Sequence, residues 1–209
     1  MSGSLAHPDE TAIAWHRFAA SPAVYITPER LAAAFDEAIT RDTGRRLLAI
    51  PRIERRLSDL LCAKYHLSQS LGPDAVSDAD RAVLLLAPAP LRSLLRLAGA
   101  IYFAGALSRV VLASEVRALE KALGPGVLAR ALTSRDLAGA AEALPANEER
   151  IEQIDRAGWS CLLAWAASFP HEIEVRLRLQ MPDGVLPLAT ITPEIGRPII
   201  EAARSAGSA

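Results

Sequence analysis

The sequence predicts a mainly α-helical fold: a compact, single multi-helix domain over 1–209, built around a buried central helix. Three observations predict it. Alanine (40) and leucine (30) supply a third of the 209 residues, and both favour helix. Valine (9) and isoleucine (13) are too few for a sheet-dominated fold. Apolar residues also recur at helical spacing through most of the chain. With 51% hydrophobic and 22% charged residues there is ample core material, which excludes disorder for the bulk of the chain.

Residues 1–20 read as a polar, partly flexible start with a short apolar patch of Ile13, Trp15 and Phe18. Thr27-Pro28-Glu29 opens the first clear helix: threonine caps, proline fits the first position and glutamate suits the dipole. Leu31, Phe35, Ala38 and Ile39 carry its apolar face to about Arg41, and Gly44 interrupts. A helix over 45–66, regular from Pro51, turns Leu57, Leu60, Leu61 and Tyr65 inward. After a loop with Gly72-Pro73, Ser77-Asp-Ala-Asp80 caps a helix to Leu86, which Pro88-Ala-Pro90 breaks.

The helix over 91–112 is apolar almost all round, with Leu94, Leu95, Ala98, Ile101, Tyr102 and Leu107, and so is the central one. Gly99 and Gly105 each cost it about 1 kcal/mol relative to alanine, which close crossing by other helices would explain. Ser114-Glu115 caps the next helix, and Gly124-Pro125-Gly126 ends it. Short helices over 127–132 and 135–144 precede a long one from Asn147 to about Ser168. That helix carries Ile151, Ile154, Gly158, Leu162 and Trp165 on one side. Trp159, six residues before Trp165, points elsewhere around it, and core packing is the default for both. From Glu172 to Met181 apolar and charged residues alternate, which predicts a half-buried strand. Pro182-Asp183-Gly184 would turn it into a second strand over 185–191, a small C-terminal β-hairpin across 172–191. Thr192-Pro193-Glu194 opens a last helix with Ile195, Ile199, Ile200 and Ala203, frayed over 205–209.

The net charge of −1 gives no long-range attraction for a polyanion, which argues against nucleic acid. Cys62 and Cys161 make no disulfide framework and read as buried thiols of a cytoplasmic chain. Met1–Glu10 lacks the basic and apolar regions of a secretory signal. The longest strongly apolar, uncharged run, Leu97 to Ser108, is far short of the ~20 residues of a bilayer span, so no direct membrane insertion is expected.

Motifs for chemistry are missing. There is no glycine-rich phosphate loop and no G-x-S-x-G. Cys62 and His66 share a helix face, but His7, His16 and His171 are scattered, so no metal site and no cofactor are predicted. Two charged clusters stand out instead. Arg41, Arg45, Arg46, Arg52, Arg55 and Arg56 face only Asp42 and Glu54 in the same sixteen residues. Glu148, Glu149, Glu152 and Asp155 open the long helix. Each reads as a solvated face or, more sharply, as a docking surface for a protein of opposite charge. Two other readings compete. One is a helical-bundle enzyme or ligand-binding protein with a pocket near Cys62, Tyr65 and His66. The other is a helix-turn-helix regulator, for which no basic recognition helix is evident.

Three stretches carry a family resemblance. Phe18-Ala-Ala-Ser21-Pro22-Ala23-Val24-Tyr25-Ile26-Thr27-Pro28 resembles the N-terminal segment of the SctK family (YscK, PscK) of type III secretion accessory proteins. In Gly99–Ser114 the matching residues are Gly99, Leu107, Arg109 and Leu112-Ala113-Ser114. The helix over 148–168, with Gly158 and Trp165, is followed by the Arg176-Leu-Arg-Leu179 run. Ser21, Thr27 and Phe103 depart from a cysteine and two histidines of the pattern. The resemblance implies a mostly helical, non-enzymatic cytoplasmic adaptor of the injectisome sorting platform, working at the inner-membrane face. Its implied partners are the cytoplasmic domain of the inner-membrane ring protein SctD and the pod protein SctQ, and through them SctL and the ATPase. The matched positions read as core, so the resemblance assigns no interface residue.

Overall fold

The computed structural model describes residues 8–139, 144, 145, 149–183, 185 and 187–207. The helices of the first half are α1 (Pro8–Ala20), α2 (Pro28–Ala34), α3 (Arg41–Leu48), α4 (Glu54–Tyr65), α5 (Asp78–Leu84) and α6 (Pro88–Tyr102). Those of the second are α7 (Ala104–Leu107), α8 (Ala113–Leu123), α9 (Val127–Thr133), α10 (Glu149–Ala166), α11 (His171–Gln180) and α12 (Pro193–Gly207). Short 3-10 turns link several of them, and no strand occurs among the described residues. The chain divides into two compact units, Met1–Leu85 with Phe169–Gly184 and Leu86–Ser168 with Val185–Ala209.

In the first unit, α1 organises Pro8–Ala20 as helix, burying Trp15 and Phe18 and leaving Ile13 exposed. Thr27 caps α2 as its spacing predicts: the Arg30 amide donates to its Oγ1 at 3.3 Å. The helix stops at Ala34, well short of Arg41, because Asp36 and Glu37 turn to φ of 53° and 59°. Thr40 then caps α3, accepting from the Thr43 amide at 3.2 Å. Gly44 lies inside α3 instead of interrupting a helix. A Cβ there would sit 2.9 Å from the Pro28 carbonyl oxygen, so glycine permits the close approach of α2. Pro51 opens the 3-10 turn Pro51–Ile53 that leads into α4. α4 buries Leu57, Leu61 and Cys62, which join Ala23, Ile26, Leu31, Leu67 and Leu179 in one apolar core. Leu60 faces outward, against the inward position its spacing suggests. The Ser77 cap holds, accepting from the Asp80 amide at 3.2 Å.

The predicted hairpin over 172–191 is corrected: residues 171–180 form α11. Alternating apolar residues also satisfy a helix buried on more than one side. Ile173, Leu177 and Met181 fall four apart on one face, Leu179 and the half-buried Val175 occupy another, and Arg176 is buried with them. The charged half of the alternation supplies i, i+4 ion pairs, Glu172–Arg176 at 3.1 Å and Glu174–Arg178 at 2.7 Å, which only a helix can form in that register.

In the second unit, Pro88 and Pro90 lie in the first turn of α6, where a missing N–H is no loss. The helix therefore starts at Pro88 and ends at Tyr102, not over 91–112. It is buried as expected: Leu91, Leu95 and Leu97 through Tyr102 are all enclosed. Gly99 and Gly158 explain how α10 crosses it. A Cβ on Gly99 would lie 1.8 Å from the Ile154 carbonyl oxygen, and one on Gly158 would lie 2.0 Å from that of Leu95. Gly105 meets no such crossing, its nearest neighbour being the Ala138 Cβ at 3.9 Å. Gly196 lets α12 approach α10 for the same reason: a Cβ there would lie 2.6 Å from the Ala164 Cβ and 2.8 Å from the Cys161 carbonyl oxygen. Every residue of α10 from Ala157 to Ala166 is buried, including both Trp159 and Trp165. α8 starts at Ala113, one residue before the predicted cap; of the helix expected over 135–144, Arg135–Leu137 forms a 3-10 turn and residues 140–143 lie outside the described residues. α12 stays helical to Gly207, past the expected fraying point at Ser205.

Candidate functional site

The six clustered arginines all lie on the first unit, and all are exposed. α3 carries Arg41, Arg45 and Arg46; the Pro51–Ile53 turn carries Arg52; the first turn of α4 carries Arg55 and Arg56. Arg41 pairs with Glu29, and Arg45 with Asp42 at 2.8 Å. Glu54, the other acid within the cluster, pairs with Arg17 of α1 at 3.8 Å. Among the described residues, Arg46, Arg52, Arg55 and Arg56 have no ion-pair partner. Arg55 and Arg56 also sit at the positive end of the α4 dipole, where cations are unfavourable by a few tenths of a kcal/mol each, roughly. The local fold gains nothing evident from this charge, and an anionic partner would relieve it.

The acidic cluster belongs to the second unit. Glu148 lies outside the described residues. Glu149 and Glu152 are exposed in the first turn of α10. Asp155, one turn on, is already engaged: Arg96 of α6 donates to both its oxygens, from Nε at 3.0 Å and from Nη2 at 2.8 Å. This paired geometry fastens α10 to α6, while among the described residues Glu149 and Glu152 have no ion-pair partner.

Cys62, Tyr65 and His66 differ in exposure: the first is buried, the second half-buried and the third exposed. Cys62 is 4% exposed and packed in the apolar core of the first unit. Burial pushes its thiol up, with the nearby Arg176 charge opposing. His66 is exposed at the end of α4, in the left-handed conformation at φ 53°. Cys161 is fully enclosed, and burial pushes its thiol up to about 12. Among the described residues, no three His, Cys, Asp or Glu side chains come together as a metal site.

The residue that sequence reasoning missed is Arg176, which is 0% exposed. Its Nη1 donates to the Glu172 carbonyl and to Glu172 Oε2, both at 3.1 Å. Its Nη2 donates to the Ala19 carbonyl at 2.9 Å and to the Ser68 carbonyl. Glu172 Oε2 in turn accepts from the Ser68 amide at 2.7 Å. One guanidinium thus ties together the end of α1, the loop after α4, and α11. The available signal was a glutamate four residues before it, but the same pair is common on solvated helices. Beside it, the Tyr25 hydroxyl donates to the Phe18 carbonyl at 2.9 Å, and burial raises its phenol above the usual value.

The model of the family described as YOP proteins translocation protein K (YscK) matches residues 12–208. No curated protein matches. No solved structure matches either.

Proposed function

This chain belongs to the YscK family of type III secretion proteins, and we propose that it is a non-enzymatic adaptor of the injectisome sorting platform. In this reading it links the cytoplasmic domain of the inner-membrane ring protein SctD to the pod protein SctQ, and through SctL to the ATPase. It would work at the cytoplasmic face of the inner membrane. Among the described residues no single helix is long and apolar enough to cross a membrane, which fits attachment through a protein partner.

The observation that carries the reading is the uncompensated arginine surface of α3 and α4. Among the described residues Arg46, Arg52, Arg55 and Arg56 are exposed without an ion pair, so a negatively charged protein surface would complete them. Glu149 and Glu152 offer a second surface of opposite sign on the other unit. An adaptor needs two such faces and a firm body to carry them. An enzyme built on Cys62 would instead need an accessible thiolate, and burial opposes both access and ionisation.

The test is co-purification with the ring protein's cytoplasmic domain and with the pod protein, each separately. Reversing Arg52, Arg55 and Arg56 to glutamate should abolish binding to one of them and leave the helical circular dichroism unchanged. Unchanged binding to both would remove the arginines from the interface.

A further inference from the structure

We propose that the outer face of α4 is a composite docking site, taken by an acidic amphipathic helix of the partner that sets an apolar side chain on Leu60. This rests on the adaptor reading and names the chemistry of the partner at the arginine surface. Arg52, Arg56, Leu60 and Lys64 stand four residues apart, so they form one stripe along the helix and the turn before it. Lys64 at the far end is satisfied by Asp36, with contacts of 3.0 and 3.1 Å to its two oxygens. The unpaired charge is therefore concentrated at the near end, on Arg52, Arg55 and Arg56.

Leu60 is 46% exposed in the middle of this stripe. The core side of α4 is already supplied by Leu57, Leu61 and Cys62, so Leu60 is not held outward for want of space elsewhere on the helix. A leucine half in water beside unpaired guanidinium groups matches a partner that presents acid and hydrocarbon together. From Arg52 to Leu60 the stripe runs about 12 Å, the length of about two turns of a partner helix. That helix would carry carboxylates at one end and an apolar anchor about two turns away.

A nucleic acid would use charge along the whole stripe and has no use for Leu60. An anionic bilayer finds no tryptophan or phenylalanine on the stripe to insert.

The experiment measures binding of the full chain to the ring protein's cytoplasmic domain and to the pod protein over a range of salt concentrations. Four chains are compared: wild type, Leu60→Asp, Leu60→Ser, and the triple reversal of Arg52, Arg55 and Arg56 to glutamate. Leu60→Ser serves as a second, uncharged variant, and circular dichroism checks the fold of each. Leu60→Asp and Leu60→Ser should weaken binding at least ten-fold to the same partner that the triple reversal loses. Leu60→Ser should keep the salt dependence of the wild type. Unchanged binding by both Leu60 variants overturns the inference alone, as does loss of a different partner from the one the arginines hold. Retention of the wild type, but not of the triple reversal, on phosphatidylglycerol vesicles or duplex DNA, with neither Leu60 variant affected, also overturns it. Failure of the wild type to bind either protein overturns the adaptor reading and this inference with it.

Discussion

Enclosing a guanidinium is unfavourable unless its donors are met; the two Nη nitrogens of Arg176 donate to three carbonyl oxygens and one carboxylate, while among the described residues its buried Nε–H finds no acceptor. Removing it would leave the Ala19 and Ser68 carbonyls short of a donor and Glu172 without its cation. Arg176→Ala should therefore destabilise the protein by about 2–4 kcal/mol, read as a lower urea midpoint. Arg176→Lys keeps the charge but not the fork, and should recover only a small part of the loss. A midpoint unchanged by either substitution would contradict this role. The buried cysteine gives a second prediction. In the folded chain the Cys161 thiol is pushed from 9.0 up to about 12, so it stays protonated where the unfolded thiol ionises. Its contribution is complete below pH 9 and is lost as pH rises from there towards 12. Tyr25, raised above its ordinary 10.0, adds a loss in the same direction at higher pH. Thermal midpoints measured from pH 8 to 11 should fall, and fall less steeply in Cys161→Ala. A flat profile in the wild type would exclude the account. At this scale the sequence was partly legible. The two thiols read correctly as buried, because each lies in an apolar helical run. Arg176 and Leu60 did not, because a buried arginine and an exposed leucine both run against their residue type and are settled only by packing from distant segments.

Among the elements, local chemistry was legible and long-range choice was not. Thr27 and Ser77 cap where their spacing with proline and acid predicts, since a cap is an interaction over three residues. α2 ends early because two non-glycine residues, Asp36 and Glu37, adopt left-handed φ, which nothing in the apolar period of Leu31, Phe35 and Ile39 announces. α11 reads as a strand because Ile173 to Met181 alternates. It is a helix because both its faces are covered and its charges pair at i, i+4. The α6–α10 crossing was legible in outline, since Gly99 suggested a close neighbour, but Gly158 as the reciprocal contact was not. This crossing makes a direct prediction. Gly99→Ala or Gly158→Ala places a methyl within 2.0 Å of a backbone oxygen, which a rotamer change cannot relieve. Each should destabilise by about 3 kcal/mol. The double variant should cost less than the sum of the two, because helices forced apart once accommodate the second methyl. Gly105→Ala, where the new methyl would meet only the Ala138 Cβ at an ordinary contact distance of 3.9 Å, should be neutral or slightly stabilising. Equal effects at all three glycines, followed by urea unfolding, would show that the crossing is not close.

At the scale of the whole molecule, each unit carries one charged surface of its own, arginines on the first and glutamates on the second. The separation predicts independent effects. Reversing Glu149 and Glu152 to lysine should leave binding at the arginine surface unchanged while weakening the other partner several-fold. Loss of both partners on either reversal, without unfolding, would mean that the two surfaces serve one site. The resemblance and the helical class were both legible in the sequence, because order and spacing of apolar residues persist where chemistry is absent. Which charges remain free was not. Asp42, Glu29, Glu54 and Arg96 decide it, and three of them lie on elements other than the residues they neutralise. The central claim is that this chain joins two proteins without transforming either, and size-exclusion chromatography of the mixture tests it most directly. The ring protein's cytoplasmic domain and the pod protein should co-elute with this chain as one ternary species and elute apart without it. Mutual displacement of the two partners from the chain, or their co-elution in its absence, would contradict the claim.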